Sequence, residues 1–133
     1  MFLLDTNTLS QIVRKSPSPR LLERLAAEES TQKFTSCICV MELRHGALRR
    51  DDAGALWRRI QKDVLARVEI LGVGIEEAFL AGELLAGLSS TGQRIDVEDV
   101  LIAATALRHR LTMVTNNVRH FERVPGLHVE DWL

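Results

Sequence analysis

Short apolar segments alternate along this chain with longer stretches in which apolar residues recur every three or four positions. The short segments predict buried strands at residues 2–4, 34–38, 68–73 and 111–114, with an edge strand at residues 127–129. The periodic stretches predict helices at residues 6–14, 40–50, 76–88 and 96–108, two more that begin near residues 19 and 53, and a helical turn through residue 121. Because strands and helices alternate, we expect an α/β fold with three layers (α/β/α) around a central, mostly parallel sheet of four to five strands.

The composition is that of an ordinary globular protein. The 133 residues are 46% hydrophobic and 26% charged, which predicts one domain spanning residues 1–133. No apolar run approaches the roughly 20 residues of a membrane span, and no signal peptide is evident. The net charge of −1 provides no overall attraction to nucleic acid, so any such attraction must come from local basic patches. Cys37 and Cys39 are better interpreted as small buried residues than as a disulfide or zinc site, which agrees with a cytoplasmic protein.

Three acids stand where a predicted strand gives way to a helix or turn. Asp5 follows the first strand, Glu42 follows the second, and Asp99 lies near the start of the helix that precedes the fourth strand. In a parallel α/β sheet these junctions gather at the carboxyl edge, where ligands bind. Three carboxylates there would repel one another unless a cation lay between them, and a hard divalent ion is the natural occupant. The pattern therefore predicts metal-assisted chemistry on a phosphate backbone.

Each acid also has a simpler interpretation. Asp5 could be a turn residue that accepts a backbone hydrogen bond, and Glu42 could be a solvent-facing helical glutamate. Asp96 as N-cap, with Asp99 at the third helical position, would resemble a capping box. Capping and metal binding are compatible, because Asp96 could cap the helix while Asp99 faces the cleft.

Several polar residues beside these acids are candidates for a supporting role. Some would hydrogen-bond the acids or a metal-bound water: Thr6, Asn7, Asp96, Thr115, Asn116 and Asn117. The histidines have no metal-ligand spacing among them and are interpreted as surface or internally satisfied residues. A basic stretch follows Glu42 on the same predicted helix, and Arg44 and Arg49 are its candidates for contact with RNA phosphates.

Five segments, in this order along nearly the whole chain, resemble motifs of the PIN domain and of its bacterial VapC-type toxins. They are LLDTNTLS at residues 3–10, MELRHGA at 41–47, DVLIAATA at 99–106, VTNNVRHF at 114–121 and VPGLHVEDW at 124–132. Each motif alone is weak, but all of them at these separations are specific.

The resemblance implies an Mg²⁺-dependent endoribonuclease, also active with Mn²⁺, that is the toxin of a type II toxin–antitoxin pair. It further implies a homodimer, a small antitoxin as partner, and transfer RNA or ribosomal RNA as substrate. Asp5, Glu42 and Asp99 would bind the metal, and metal-activated water would hydrolyse the phosphodiester bond. Many PIN domains carry a fourth acid, and we align Asn117 with that catalytic position, with Asn116 as the alternative.

Other classes agree less well with the residues. A haloacid-dehalogenase-type phosphatase needs a second acid two residues after the first, where this chain has Asn7. A receiver domain needs paired acids and a late lysine, which are not evident. The alternative from another functional class is a PIN-like module that binds RNA or protein without cleaving it, because an amide replaces the fourth acid.

Overall fold

The computed structural model describes residues 1–133 and has a single five-stranded sheet with helices on both faces. The strands are β1 (Phe2–Leu4), β2 (Lys33–Ser36), β3 (Glu69–Leu71), β4 (Thr112–Val114) and β5 (Val129–Glu130). The helices are α1 (Thr6–Ile12), α2 (Pro19–Ala27), α3 (Cys37–Leu48), α4 (Ala53–Asp63), α5 (Ile75–Ser90), α6 (Val97–Arg108) and α7 (Val118–Phe121). The predicted three-layer α/β/α fold is confirmed, and its sheet is entirely parallel.

The strand order is β3-β2-β1-β4-β5, which makes β1 the central strand. Phe2 pairs with Lys33 on one side and with Thr112 on the other. The chain steps outward from β1 to β3 and then crosses back to β4, so the connections reverse direction between β1 and β4. Such a reversal opens a crevice at the carboxyl edge of the sheet, and this is where ligands bind in open α/β folds.

Two apolar clusters fill the space between the sheet and its two helical layers. Successive strand residues point to opposite faces, so Leu3 and Met113 belong to the cluster beneath α5 and α6. Leu4 and Val114 belong to the other cluster, with residues of α1, α2 and α4. Helix α6 is buried along most of its length, which fixes the position of its first turn against the sheet.

The boundary between β2 and α3 differs from the prediction. The strand ends at Ser36, two residues before the predicted end, because the Ser36 side chain accepts a hydrogen bond of 3.1 Å from the Ile38 amide and caps α3. Cys37 and Cys39 therefore lie on the first turn of the helix, and both are free thiols. Burial raises the pKa of Cys39 to about 11, which keeps its thiol protonated at neutral pH.

Two further local predictions require correction. Asp96 occupies the N-cap position of α6, but its side chain makes no capping hydrogen bond. The edge strand β5 begins two residues later than predicted, after a turn in which Gly126 has a φ of 78°. No helix of the chain combines the length and apolar character needed to span a membrane.

A carboxylate cleft at the carboxyl edge of the sheet

The three predicted acids line one cleft at the carboxyl ends of β1 and β4. The cleft has a volume of about 240 Å³, and its polar lining contrasts with the apolar core beneath it. Its lining residues are Asp5, Thr6, Asn7, Glu42, Asp99, Ile102, Asn117 and Phe121. Three carboxylates from separate parts of the chain are therefore brought together without an intervening basic residue in the lining.

Asp5 is placed by both strand and helix. Its backbone amide donates to the Val114 carbonyl at 3.0 Å, which continues the parallel pairing one residue past β1. Its side chain is only 5% exposed and caps α1, with Oδ1 accepting from the Thr8 amide at 2.8 Å. Burial raises the pKa of the Asp5 carboxyl and the negative charge of Asp99 adds to the effect, while hydrogen bonds from Thr115 and Thr8 oppose it.

Glu42 reaches the cleft from the second turn of α3. Its Oε1 accepts a hydrogen bond of 2.7 Å from the Thr6 hydroxyl, so the residue directly after Asp5 holds the second acid in place. Burial is the main cause of the raised pKa of Glu42, and the charges of Asp99 and Asp5 act in the same direction. Burial is the main cause of the raised pKa values of Asp5 and Glu42, and repulsion between the carboxylates that share this cleft adds to it.

Asp99 lies in the first turn of α6 and is partly buried. Its Oδ2 is 2.8 Å from Nε2 of His120, on α7. Sequence reasoning did not assign His120 to the site. No local spacing joins the two residues, which are 21 positions apart, and only the packing of α7 beside the N-terminus of α6 brings them together.

The remaining candidates divide into residues within the cleft and residues outside it. All four of these side chains are exposed, but Asn7 and Asn117 line the cleft, whereas Asn116 and Asp96 do not. Thr115 is fully buried, hydrogen-bonds Asp5, and accepts from the Asn117 amide at 3.0 Å. Between the two asparagines, the geometry therefore favours Asn117 for the position of the fourth acid.

A larger groove adjoins the carboxylate cleft and shares Thr6 and Glu42 with it. This groove, which we call the basic groove, has a volume of about 700 Å³ and runs between α1, α3 and α4. The cationic residues that line it are Arg14, Lys15, Arg50 and Arg59. Arg44 and Arg49 are not among them. Arg44 lies over the Trp57 ring at 4.9 Å, and Arg49 is exposed on the solvent side of the α3 C-terminus.

The donor set suits a hard cation bound partly through water. No group of three His, Cys, Asp or Glu side chains is arranged to hold a metal ion directly. The cleft nevertheless offers carboxylate, hydroxyl and amide oxygens, which are the ligands of hard divalent ions. Mg²⁺ in particular keeps several of its waters and needs only one or two direct carboxylates. The cleft has room for those waters.

Comparisons with known proteins identify the family. The PIN domain model matches residues 2–127. The tRNA(fMet)-specific endonuclease VapC of Salmonella typhimurium is 34% identical over 131 residues, which cover 98% of this chain and 97% of the relative. Ribonuclease VapC2 of Rickettsia felis is 32% identical over 99% of this chain and 98% of its own length. The crystal structure of DNA-bound VapBC from Salmonella typhimurium superposes with a TM-score of 0.92 at 32% identity, covering 99% of this chain and 98% of that one. The chain therefore belongs to the PIN-domain family, among the VapC ribonucleases.

Proposed function

We propose that this protein is an Mg²⁺-dependent endoribonuclease and the toxin of a VapBC-like type II toxin–antitoxin system. The observation that carries the proposal is the convergence of Asp5, Glu42 and Asp99 on one cleft, in a chain whose relatives are ribonucleases. Mn²⁺ supports the same activity, because it also accepts oxygen ligands in octahedral geometry.

The side chains of the cleft would position the cation beside the bound RNA. Asp5, Glu42 and Asp99 would hold Mg²⁺, and the Asn117 side chain lines the same cleft. Thr6 fixes the Glu42 carboxylate, and Thr8 and Thr115 fix Asp5. When bound, Mg²⁺ supplies a Lewis acid for the scissile phosphate and lowers the pKa of the water that hydrolyses it.

The basic groove gives the RNA backbone a path to this cleft. Its cations compensate phosphate charge directly beside Glu42, which a protein of net charge −1 needs from a local patch. Arg44 and Arg49 remain candidates for contact with more distant phosphates of a folded RNA. Transfer RNA is the substrate class we favour, since the Salmonella relative is named as a tRNA(fMet)-specific endonuclease.

The protein partners are a small antitoxin and a second copy of the chain. Solved structures of similar chains include VapBC from Salmonella typhimurium and VapBC2 from Rickettsia felis, both of them toxin–antitoxin complexes bound to DNA. Large apolar side chains at the N-terminal ends of α5 and α6 suit a homodimer contact: Ile75 and Phe79 are each 67% exposed and Val97 is 54% exposed. We place this activity in the cytoplasm, where transfer RNA is available.

The direct test is cleavage of end-labelled transfer RNA by the toxin purified free of antitoxin. We expect discrete fragments with Mg²⁺ or Mn²⁺, none with EDTA, and none from Asp5→Asn. Asp51→Asn makes the same chemical change at an exposed position and should cleave normally. Metal-dependent binding of RNA without cleavage by the unmodified protein would overturn the proposal and favour the non-cleaving module instead.

A further inference from the structure

A chain of hydrogen bonds extends from Asp99 away from the cleft. Nε2 of His120 is 2.8 Å from Asp99 Oδ2, and Nη2 of Arg123 is 2.7 Å from Nδ1 of the same imidazole. Arg123 is itself held by two backbone carbonyls, those of His120 and Arg94, each at 3.2 Å. The imidazole also packs edge-on against Phe121, with ring centroids 5.0 Å apart. The orientation of His120 is thus fixed from three sides.

This arrangement determines where the imidazole carries its proton. A guanidinium can only donate hydrogen bonds, so the contact with Arg123 requires a lone pair on Nδ1 of His120. The ring proton therefore lies on Nε2, and Nε2–H donates to Asp99. A doubly protonated imidazole would place an N–H on Nδ1 facing the Arg123 donor at 2.7 Å, where no hydrogen bond could form.

We propose that His120 is a positioning residue for the cleft, and that Arg123 selects the tautomer in which it acts. The Nε2–H group donates to Oδ2 of Asp99 and holds that carboxylate in one orientation. Groups that hold metal-binding carboxylates in this way contribute strongly to metal affinity. The inference rests on the proposed function in assigning Asp99 to a metal, but it makes claims about His120 that can be measured separately.

The first experiment reads the tautomer in the unmodified protein. Long-range ¹H–¹⁵N correlation spectra should show the His120 tautomer with an unprotonated Nδ1 and a protonated Nε2. Arg123→Met should remove this preference and bring the Nδ1–H form into the population. A His120 that is protonated on Nδ1 in the unmodified protein would overturn the proposal, whether or not the protein cleaves RNA.

The second experiment compares His120 variants by calorimetric titration of the antitoxin-free protein with Mn²⁺. His120→Leu keeps side-chain bulk but has no donor, and we expect Mn²⁺ affinity to fall by about 10- to 100-fold. His120→Gln places an amide N–H near the position of Nε2 and should stay within about threefold of the unmodified protein. His45→Leu, at an exposed site on α3, is the matched control and should bind normally. The thermal midpoint of each variant establishes that it is folded.

These outcomes separate the two proposals. Normal Mn²⁺ affinity in folded His120→Leu, together with active RNA cleavage by the unmodified protein, would overturn the positioning role and leave the nuclease function standing. Equal loss of affinity in the Gln and Leu variants would also overturn it, because a purely steric role would explain both. An unmodified protein that binds Mn²⁺ with the expected dependence on His120 but cleaves no RNA would support the positioning role and contradict the nuclease.

Discussion

Replacing Asp5 by Asn should make the metal-free protein more stable while abolishing cleavage. Asp5 is almost fully buried, and its raised pKa shows that burial outweighs the hydrogen bonds that favour its charged form. An asparagine remains a good N-cap, because its carbonyl oxygen can accept from the Thr8 amide. Its amide group can donate to the Thr115 hydroxyl oxygen, so the contact with Thr115 is kept with the direction of the hydrogen bond reversed. The substitution therefore removes a desolvated charge and keeps the local structure.

The change in folding stability is the difference between two opposing contributions, the burial of the Asp5 charge and the hydrogen bonds that this charge accepts. Each unit by which folding raises a carboxyl pKa removes about 1.4 kcal/mol of stability when the group is ionised. The raised pKa of Asp5 is a net result, because hydrogen bonds to the carboxylate lower the pKa and burial raises it by more. The loss of charge-assisted hydrogen bonds in Asp5→Asn is therefore already counted. We expect a gain near neutral pH in EDTA, and each 1 kcal/mol of gain corresponds to a rise of about 3–5 °C in the melting temperature.

The gain should depend on pH in a definite direction. Between the unperturbed pKa of 3.8 and the raised pKa of folded Asp5, the folded protein holds a proton that the unfolded chain has lost. The stability of the unmodified protein therefore falls as pH rises through this window, and the advantage of Asp5→Asn grows with it. Urea unfolding at a series of pH values measures both curves. In Asp5→Asn the pKa of Glu42 is still raised, so Glu42 alone still makes the free energy of unfolding fall with rising pH, with a smaller slope.

Bound metal should make the unmodified protein more stable than Asp5→Asn, which reverses the order expected in EDTA. Mn²⁺ at about 100 times its dissociation constant stabilises a protein that binds it by about 2.7 kcal/mol. The unmodified protein gains this amount and the variant, which lacks one charged ligand, gains less. Asp51→Asn, at an exposed position outside the cleft, should follow the unmodified protein throughout. If Asp5→Asn is less stable than the unmodified protein in EDTA at neutral pH, the hydrogen bonds outweigh the desolvation and our reasoning is wrong.

Three further changes test other parts of the structure. Asn117→Asp adds a charge within the cleft and should tighten Mn²⁺ binding in calorimetry, whereas Asn116→Asp, outside the lining, should leave it unchanged; equal effects would contradict the assignment. Arg14→Gln should weaken RNA binding and lower the slope of log affinity against log salt concentration by about 1, the value expected for one lost phosphate contact. Lys62→Gln, on α4 outside the groove, is the control, and an unchanged slope in Arg14→Gln would show that RNA does not follow the basic groove. Gly126→Ala places a side chain at a φ of 78° and should lower the free energy of unfolding by about 1 kcal/mol, and an unchanged urea midpoint would show that the turn relaxes without strain.

The sequence was sufficient for the layers of the fold and for the gathering of the three acids. Both depend on periodicity and on a topological rule, since carboxyl ends of parallel strands share one edge. The end of β2 was missed because the apolar run continues through Ile38, although Ser36 was a usable capping signal. Asp96 was placed correctly at the start of α6, but whether a cap residue makes its hydrogen bond depends on a rotamer that the sequence does not encode.

The parts of the site that escaped prediction all depend on tertiary packing. The contact between His120 and Asp99 is set by the approach of α7 to α6, and no local spacing predicts it. The basic residues on α3 and directly after it formed a dense stretch in the sequence, yet Arg44 on the helix lies over Trp57, and only Arg50, past the end of the helix, lines the groove. The helical period limits which residues share a face, but the neighbouring helix decides which face meets the groove.

The central position of β1 has a consequence for the order of events during synthesis. This strand is the first to be made, but one of its two partners is Thr112–Val114, far along the chain. At about 5–20 residues per second, a ribosome needs roughly 5–20 s to translate the chain from β1 to β4. During that interval Asp5 has no neighbour at β4, and neither His120 nor Asn117 has been made. A nascent chain therefore cannot assemble the cleft until most of the protein has been translated. Under the proposed function, the partly made nuclease therefore cannot cleave RNA during these several seconds.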